Sequence, residues 1–463
     1  MKFYNTLTRK IDEFIPNNEK NVKMYTCGPT VYHYAHIGNL RSYICEDVLE
    51  KTLNYVGYNV TRCMNITDVG HLSSDSDTGE DKMLKGAARE HKTVLEIAEY
   101  YTNAFKEDFK KLNIKWPEIV SKATDNIDEY IKIITVLLEK GYAYKSNGNV
   151  YFDTTKLSDY YKLTNHKEDE MVVGARAGVE EDSFKRNQAD FVLWFTKSKF
   201  ADQELKWDSP FGLGYPGWHI ECSGISIKYL GEYLDIHCGG VDNIFPHHTN
   251  EIAQSESYLG HNWCNYWFHV EHLNDSTGKM SKSKGEFLTV SLLEEKGYNP
   301  LAYRLFVLNS HYRKVLTFSY DALDQASSMY DKLVSKIKSL NSEGIVNVEL
   351  AKNYQDRFKA CLMDDLNTAN ALTVLYDLLK DSDINDATKL YLVKDFDKVL
   401  SLELIKEKNI TDSLKQYIES KIEERKIAKQ NKDFALADQI RDELLLKGII
   451  IKDTRDGVTY EIK

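Results

Sequence analysis

A chain of 463 residues with 42% hydrophobic and 28% charged side chains has the make-up of a globular protein of several domains. No run of about 18 apolar residues occurs, which excludes a membrane-spanning helix. The opening MKFYNTLTRKIDEFIP lacks the apolar stretch of a signal peptide, so a cytoplasmic chain with reduced thiols is expected. The net charge of −11 does not favour a nucleic-acid partner and does not exclude one, because local basic patches decide such binding. The seven cysteines are an odd, scattered set, and read as metal ligands before disulfides.

The stretch 22–28, VKMYTCG, has a strand pattern that ends at a Gly-Pro turn. Behind it Ile37, Leu40, Ile44, Val48 and Tyr55 keep roughly helical spacing, and Gly57 can stop the helix. YNVTRCMNIT follows as a second strand, which makes a βαβ unit. The turn at the helix start carries His36, Gly38 and Asn39. Free backbone N–H groups and the helix dipole suit a phosphate there, and Gly38 lets a ligand approach closely. Gly38 equally fits a helix packed tightly on a sheet. Residues 82–141 read as mostly helical, with LEIAEYYTNAFKEDFKKLNI and IDEYIKIITVLLEKG as two helices, and NGNVYFD as a hairpin arm. Residues 155–205 read as polar and irregular, an excursion from the parent sheet. Strand-like WDSPFG and the stretch after it resume that sheet, so a nucleotide-binding fold split by an insertion is expected.

Residues 217–256 crowd together Cys222, His237, Cys238, His247, His248 and Glu251. His247 and Glu251, four apart, share a helix face and can reach one ion. Cys222 adds a thiolate, and Cys27 adds a second from far upstream. Two thiolates, an imidazole and a carboxylate suit Zn²⁺. The same pattern also fits a buried helix start with satisfied histidines. Next, STGKMSKSKGEFLTV sets Lys279, Lys282 and Lys284 in a loop that can fold over a triphosphate, or can be a solvated charge run. Beyond about residue 315, four amphipathic segments suggest a helical bundle. Two more helices and a hairpin turning at Asp456-Gly457 close the chain, with Lys421, Arg425, Lys426, Lys429, Lys432 and Arg441 among acids.

With these residues laid out, the chain resembles the cysteinyl-tRNA synthetases, a class I aminoacyl-tRNA synthetase family, nearly end to end. His36-Ile37-Gly38-Asn39 matches the HIGH signature, with Asn39 in place of its last histidine, and Lys279-Met280-Ser281-Lys282-Ser283 matches KMSKS in full. The segments CGPTVY, NITD, GWHIECS and FPHHTNEIAQSE separate the cysteine family from its class I relatives. Asparagine at 39 keeps a side-chain donor but cannot carry a positive charge.

The resemblance implies an α/β fold: a nucleotide-binding parallel sheet of the class I synthetase type in two halves, 1–115 and 206–260, around a connective insertion at 116–205. A KMSKS loop and stem-contact region at 261–330, an α-helical bundle at 331–402 and a small anticodon-binding domain at 403–463 complete it. The resemblance implies one Zn²⁺ per chain on Cys27, Cys222, His247 and Glu251. It implies ATP with Mg²⁺ at His36, Gly38, Asn39, Lys279 and Lys282, and L-cysteine at Thr67, Trp218 and Asp242, the last for the substrate ammonium. The implied partner is tRNA(Cys), on a monomer, with Phe434 a candidate for stacking on a base. His237 is expected near the pocket, with no assigned role. Cys45, Cys63, Cys238, Cys264 and Cys361 match no ligand position and are expected to pack. The implied reaction has two steps. The cysteine carboxylate attacks the α-phosphorus of ATP, giving cysteinyl-adenylate and pyrophosphate, and a 3′-terminal ribose hydroxyl of tRNA then takes the acyl group and releases AMP. Two rivals stand beside this reading. A cysteine ligase of mycothiol synthesis lacks the C-terminal extension, and a catalytically inactive synthetase-like RNA-binding protein has no need of an intact KMSKS.

Overall fold

The chain opens on an antiparallel hairpin, β1 (Lys2–Asn5) and β2 (Lys10–Glu13). The apolar run at 22–28 forms β3 (Asn21–Thr26), and the helical spacing behind it forms α1 (Ile37–Tyr55). In this computed structural model, residues 1–69, 82–90, 92–164, 183–197, 205–275, 278–279, 287–405, 412–431, 433–447, 449–454 and 457–462 are described. They fall into two units, Met1–Ile405 and Lys406–Lys463. Helix α1 begins where His36 turns extended and its ring accepts the Gly38 N–H. It stops before Gly57, whose φ of 107° favours glycine. Strand β4 (Asn59–Ile66) then pairs parallel with β3, from Asn21↔Asn59 to Thr26↔Met64, which completes the βαβ unit.

Helices α2 (Lys82–Glu90) and α3 (Val94–Lys111) follow, the second started by a Thr93–Glu96 capping box. The expectation that 82–141 is mostly helical needs one correction. Ile119–Lys122 is a strand, β5, paired parallel with β4 at the edge of the sheet. The four residues of this strand, which lies between Pro117 and the next helix, α4 (Ile127–Glu139), are too few to show a period.

The hairpin β6 (Ala143–Ser146) and β7 (Asn149–Phe152) forms as expected. The reading of 155–205 as polar and irregular does not hold at Phe191–Phe195, a wholly buried strand, β8. With β9 (Tyr215–Pro216) it extends the hairpin into an antiparallel sheet of order β6-β7-β8-β9. Trp207, in the WDSPFG stretch, bridges Gly214 beside that small sheet and does not restart the parent sheet. Tyr144, Tyr151, Val192, Phe195 and Tyr215 give the insertion a core of its own.

Helix α5 (Trp218–Leu230), β10 (Leu234–Gly240), α6 (Thr249–Leu259) and β11 (Cys264–Val270) return the chain to the parent sheet. That sheet is parallel throughout, in the order β11-β10-β3-β4-β5. The order reverses between β3 and β10. In open α/β sheets the crevice outside the carboxyl ends at such a reversal is where ligands bind. Ile37, Leu40 and Ile44 of α1 share a core with Met24 and Ile236 on one face. Tyr25, Ile133, Ile225 and Trp267 belong to the core on the other.

A small sheet of β12 (Leu273–Asp275), β13 (Gly278–Lys279) and β14 (Leu316–Thr317) follows, interleaved with α7 (Val290–Glu295) and α8 (Pro300–Leu308). The expected bundle is α9 (Tyr320–Lys338), α10 (Val348–Met363), α11 (Thr368–Lys380) and α12 (Asp386–Leu400), capped in turn by Ser319, Asn347, Asn367 and Asn385. The second unit holds α13 (Asp412–Gln430), α14 (Phe434–Leu446) and the hairpin β15 (Ile449–Thr454) and β16 (Gly457–Ile462). Thr454 pairs with Gly457; Arg455 and Asp456, and so part of the expected turn at Asp456-Gly457, lie outside the described residues.

Helix α1 carries buried charge on its underside. Asp47 pairs with Arg304 of α8 at 2.6 Å and with Lys51 at 2.7 Å. Arg304 also donates to the carbonyls of Leu400 at 2.7 Å and Leu112 at 3.1 Å. One guanidinium therefore ties α1 and α8 to the end of α3 and of the last bundle helix. Burial pushes the Asp47 carboxyl up, but Arg304 and Lys51 outweigh it and hold the group below its ordinary range. Arg304→Met should cost about 3–5 kcal/mol, since it leaves Asp47 a buried charge without its main partner. Urea denaturation at pH 7 measures this; a loss below about 1 kcal/mol shows that the network does not hold the helix.

Candidate active site and metal centre

A cavity of about 490 Å³ opens at the carboxyl ends of β3 and β10, where the strand order reverses. The α1 start forms one wall. His36 accepts the Gly38 N–H on its ring at 3.1 Å, and a Cβ on Gly38 would stand 3.3 Å from that same nitrogen. Gly38 therefore serves the turn and the close approach together. Asn39 lines the same wall one residue on. Gly28, after β3, is tighter still: its N–H donates to Asn65 Oδ1 at 2.7 Å, and a Cβ there would lie 1.6 Å from the Asn65 carbonyl oxygen.

The opposite wall gathers side chains from four places. Cys27 follows β3, Cys222 sits on α5, His247 lies in the turn before α6, and Glu251 is on α6. Their donor atoms all lie within 4.8 Å of one another. The two sulfurs are 4.0 Å apart, and His247 Nε2 is 2.9 Å from Glu251 Oε1. The four-residue spacing thus does place both groups at one point. Trp218 stacks on the His247 ring, 4.0 Å between centroids and 8° from parallel.

A second set overlaps the first. Cys27, His237, His248 and Glu251 meet within the same limit. His248 Nε2 is 3.2 Å from Cys27 Sγ, and His237 Nε2 is 2.8 Å from Glu251 Oε2. From His248 the chain of contacts runs on to His269 at 2.8 Å and from there to the Thr6 hydroxyl at 2.7 Å. Sequence reasoning placed His237 near the pocket without a role and did not weigh His269. No spacing rule joins a histidine on β10 to one on β11; the strand pairing sets His237 opposite Trp267 and His269 opposite Gly239, and His248 contacts both histidines.

Electrostatics favours the set with two thiols. Burial pushes Cys222 up, but a hydrogen bond from Cys27 and the charge of His247 bring it down to about 6, so it is a thiolate at neutral pH. Burial pushes its partner Cys27 up, so the pair shares one proton. Burial also works against the charges on His247 and Glu251, yet Glu251 and Cys222 raise His247 to about 10, while His237 and His247 lower Glu251 to about 2. The imidazolium of His247 occupies the centre of a cluster of negative donors, the place a divalent cation suits. Two thiolates, one imidazole and one carboxylate fit zinc, and its binding would displace the protons on Cys27 and His247.

The remaining site residues divide. Trp218 and Asp242 line the cavity; Asp242 is exposed, with Oδ2 3.6 Å from His272 Nδ1. Thr67 lies behind the wall, where its hydroxyl donates to Glu221 Oε2 at 2.9 Å. The Lys279 backbone pairs with Asn274 across β13 and β12. Lys282, with the rest of the KMSKS stretch, lies outside the described residues. Cys45, Cys63, Cys238, Cys264 and Cys361 are free thiols, three of them buried.

Residues 13–328 match the family of tRNA synthetases class I (C), catalytic domain, and residues 357–415, on the bundle helices and just past them, match the DALR domain. The cysteine--tRNA ligase of Treponema denticola is 46% identical over 490 aligned residues, which cover 100% of this chain and 99% of the relative. That of Borreliella burgdorferi is 44% identical over 477 residues, 99% of this chain and 98% of the relative. Among solved structures, a Mycobacterium tuberculosis methionyl-tRNA synthetase in complex with methionyl-adenylate matches with a TM-score of 0.54 and 15% identity, over 83% of this chain and 90% of that one. A LeuRS-tRNA-LeuAMS ternary complex from Agrobacterium radiobacter K84 matches with a TM-score of 0.57 and 9% identity, over 84% of each. At such identities these structures share the fold, and the likeness says no more than that.

The two donor sets predict opposite outcomes. With the two-thiol set as ligands, Cys222→Ser loses its metal on dialysis against a chelator, while His248→Ala keeps it. Atomic absorption on both variants decides, and the reverse pattern assigns the metal to His237 and His248.

Proposed function

The chain belongs to the cysteine--tRNA ligases of the class I tRNA synthetases, and from that premise we propose that it joins L-cysteine to tRNA(Cys) through a cysteinyl-adenylate formed from ATP. The observation that carries the reading is that one cavity has the start of α1 on one wall and the Cys27, Cys222, His247 and Glu251 cluster behind the other. The α1 end suits phosphate through its dipole and its free N–H groups, which places ATP, with Mg²⁺, at His36, Gly38 and Asn39. The amino acid then lies between that end and the cluster, its carboxylate towards the α-phosphorus. Transfer of this kind is mainly positioning and charge stabilisation. Lys279 and Lys282 of the KMSKS stretch supply positive charge for the triphosphate.

Selectivity is the harder demand, because serine differs from cysteine by one atom. Shape alone discriminates changes of that size by only ~1–3 kcal/mol. Zinc, when held by this cluster, supplies a position that takes a thiolate and disfavours an alcohol. The chain's part is to hold that position: Cys222 is already a thiolate, Glu251 is ionised, and Trp218 stacked on His247 limits the space beside them. The second unit offers an exposed Phe434 and basic Lys426 and Arg441, which suit a base and the backbone of the anticodon loop. No helix among the described residues is long and apolar enough to cross a membrane. We place the enzyme in the cytoplasm as a monomer.

In the cobalt-substituted enzyme, adding cysteine should produce thiolate-to-metal charge transfer, and adding serine should not. A spectrum unchanged by saturating cysteine makes the metal structural and moves selectivity elsewhere. Lys282→Ala should slow cysteine-dependent ATP–pyrophosphate exchange by roughly 10²-fold with little change in cysteine binding. Exchange at the wild-type rate removes Lys282 from the mechanism.

A further inference from the structure

Helix α1 carries one buried carboxyl that neither the ion-pair network nor the metal cluster uses. Glu46 is 1% exposed and lines the cavity. Its Oε2 has no hydrogen-bond partner among the described residues. Its neighbours on the helix are engaged: Asp47 with Arg304 and Lys51, Glu50 with Arg62 and Lys115. Arg62 is the cation whose charge reaches Glu46, but its guanidinium pairs with Glu50 and donates to the Lys115 carbonyl. A buried carboxyl without a partner is unfavourable, and an apolar residue would fill the place at less cost. Burial pushes Glu46 up to about 8, with Arg62 pulling the other way, so it stays neutral at pH 7 until a cation arrives.

Position narrows the choice of cation. Asn39, Ser42, Tyr43 and Glu46 all line the cavity, along one stripe of α1. Glu46 lies about 13 Å along the helix axis from Ile37, well below the end that suits phosphate. Tyr43, one turn away, donates its hydroxyl to the Cys27 carbonyl at 3.0 Å. The charge of Glu46 also acts on the thiols of Cys27 and Cys238. The carboxyl therefore sits at the end of the cavity next to the thiol-bearing strands, away from the triphosphate. The cation of the proposed reaction that belongs there is the ammonium of the amino acid. Asp242, the sequence-based candidate for that group, is exposed and already faces His272.

We propose that Glu46 binds the α-ammonium of the amino-acid substrate, an inference that rests on the reading of the chain as a cysteine ligase. The ammonium supplies the donors that the carboxylate lacks, and the buried setting strengthens the contact. Recognition of the substrate then has two independent anchors, sulfur at the cluster and nitrogen at Glu46.

The test uses the full-length, zinc-loaded enzyme and two ligands, L-cysteine and 3-mercaptopropionate, which keeps the thiol and the carboxylate and lacks the ammonium. Wild type should bind cysteine more tightly than the analogue by calorimetry. Glu46→Gln should lose roughly 10- to 100-fold in cysteine affinity, and its affinity for the analogue should stay within about twofold. Glu46→Leu, which fills the space without a polar atom, should show the same split. Both variants should melt no lower than wild type, because they remove an unpaired buried acid. Equal losses for both ligands, or unchanged cysteine affinity, overturn the proposal. Failure of the cysteine-ligase reading shows separately, as wild-type pyrophosphate exchange that does not depend on cysteine.

Discussion

A fully buried carboxylate must be matched by positive charge or by a metal, and Glu251 imposes that requirement on the catalytic half of the chain. Its two oxygens face His237 at 2.8 Å and His247 at 2.9 Å. One histidine stands on β10, the other in the turn before α6. Cys27 arrives from β3 and Cys222 from α5. None of these elements can leave without stranding a charge, so the cluster couples the parallel pairing of β3 with β10 to the seating of two helices. The same coupling sets the chemistry. A group of donors that holds a proton on His247 and another on Cys27 is a site in which a divalent cation replaces protons, so metal binding and the local fold reinforce each other.

Long periodic segments were legible in the sequence, and short buried ones were not. The unit β3-α1-β4 and the four bundle helices show clear periods between glycine or capping residues. Strands β5 and β8 do not. Ile119–Lys122 has four residues, and Phe191–Phe195 is buried on both faces, so neither shows the alternation that marks a half-buried strand. The ligand candidates Cys222, His247 and Glu251 stood out by crowding and spacing. Cys27 joined them from far upstream as a second thiolate, and the family motifs separated this set from a buried helix start with satisfied histidines. The line of His237, His248 and His269 was invisible, because β10, the turn before α6 and β11 bring it together and no local spacing encodes it. Thr67 was assigned to the substrate pocket by its motif, and its hydroxyl donates to Glu221, the neighbour of Cys222. Glu46 was hidden for a different reason: an acid in mid-helix reads as solvated, and only the packing of α1 shows it to be buried.

Helix α1 connects these observations. Its start lines one wall of the cavity, its cavity-facing stripe reaches Glu46, and its underside carries Asp47 and Glu50. An apolar underside would let the helix turn or slide by small amounts at little cost. The guanidinium of Arg304 forbids this, since its N–H groups point to Asp47 and to the carbonyls of Leu400 and Leu112 at once. Arg62, with Lys115, does the same one turn on, against Glu50. Rotation of α1 would break several charged hydrogen bonds together, and those of Arg304 and Arg62 are buried where water cannot replace them. The proposed reaction depends on holding a carboxylate in line with a phosphate, and this network fixes an element that lines the cavity from Asn39 to Glu46. The buried charges of α1 are therefore best understood as the means by which its orientation, and with it the placing of the cavity-lining stripe from Asn39 to Glu46, is set.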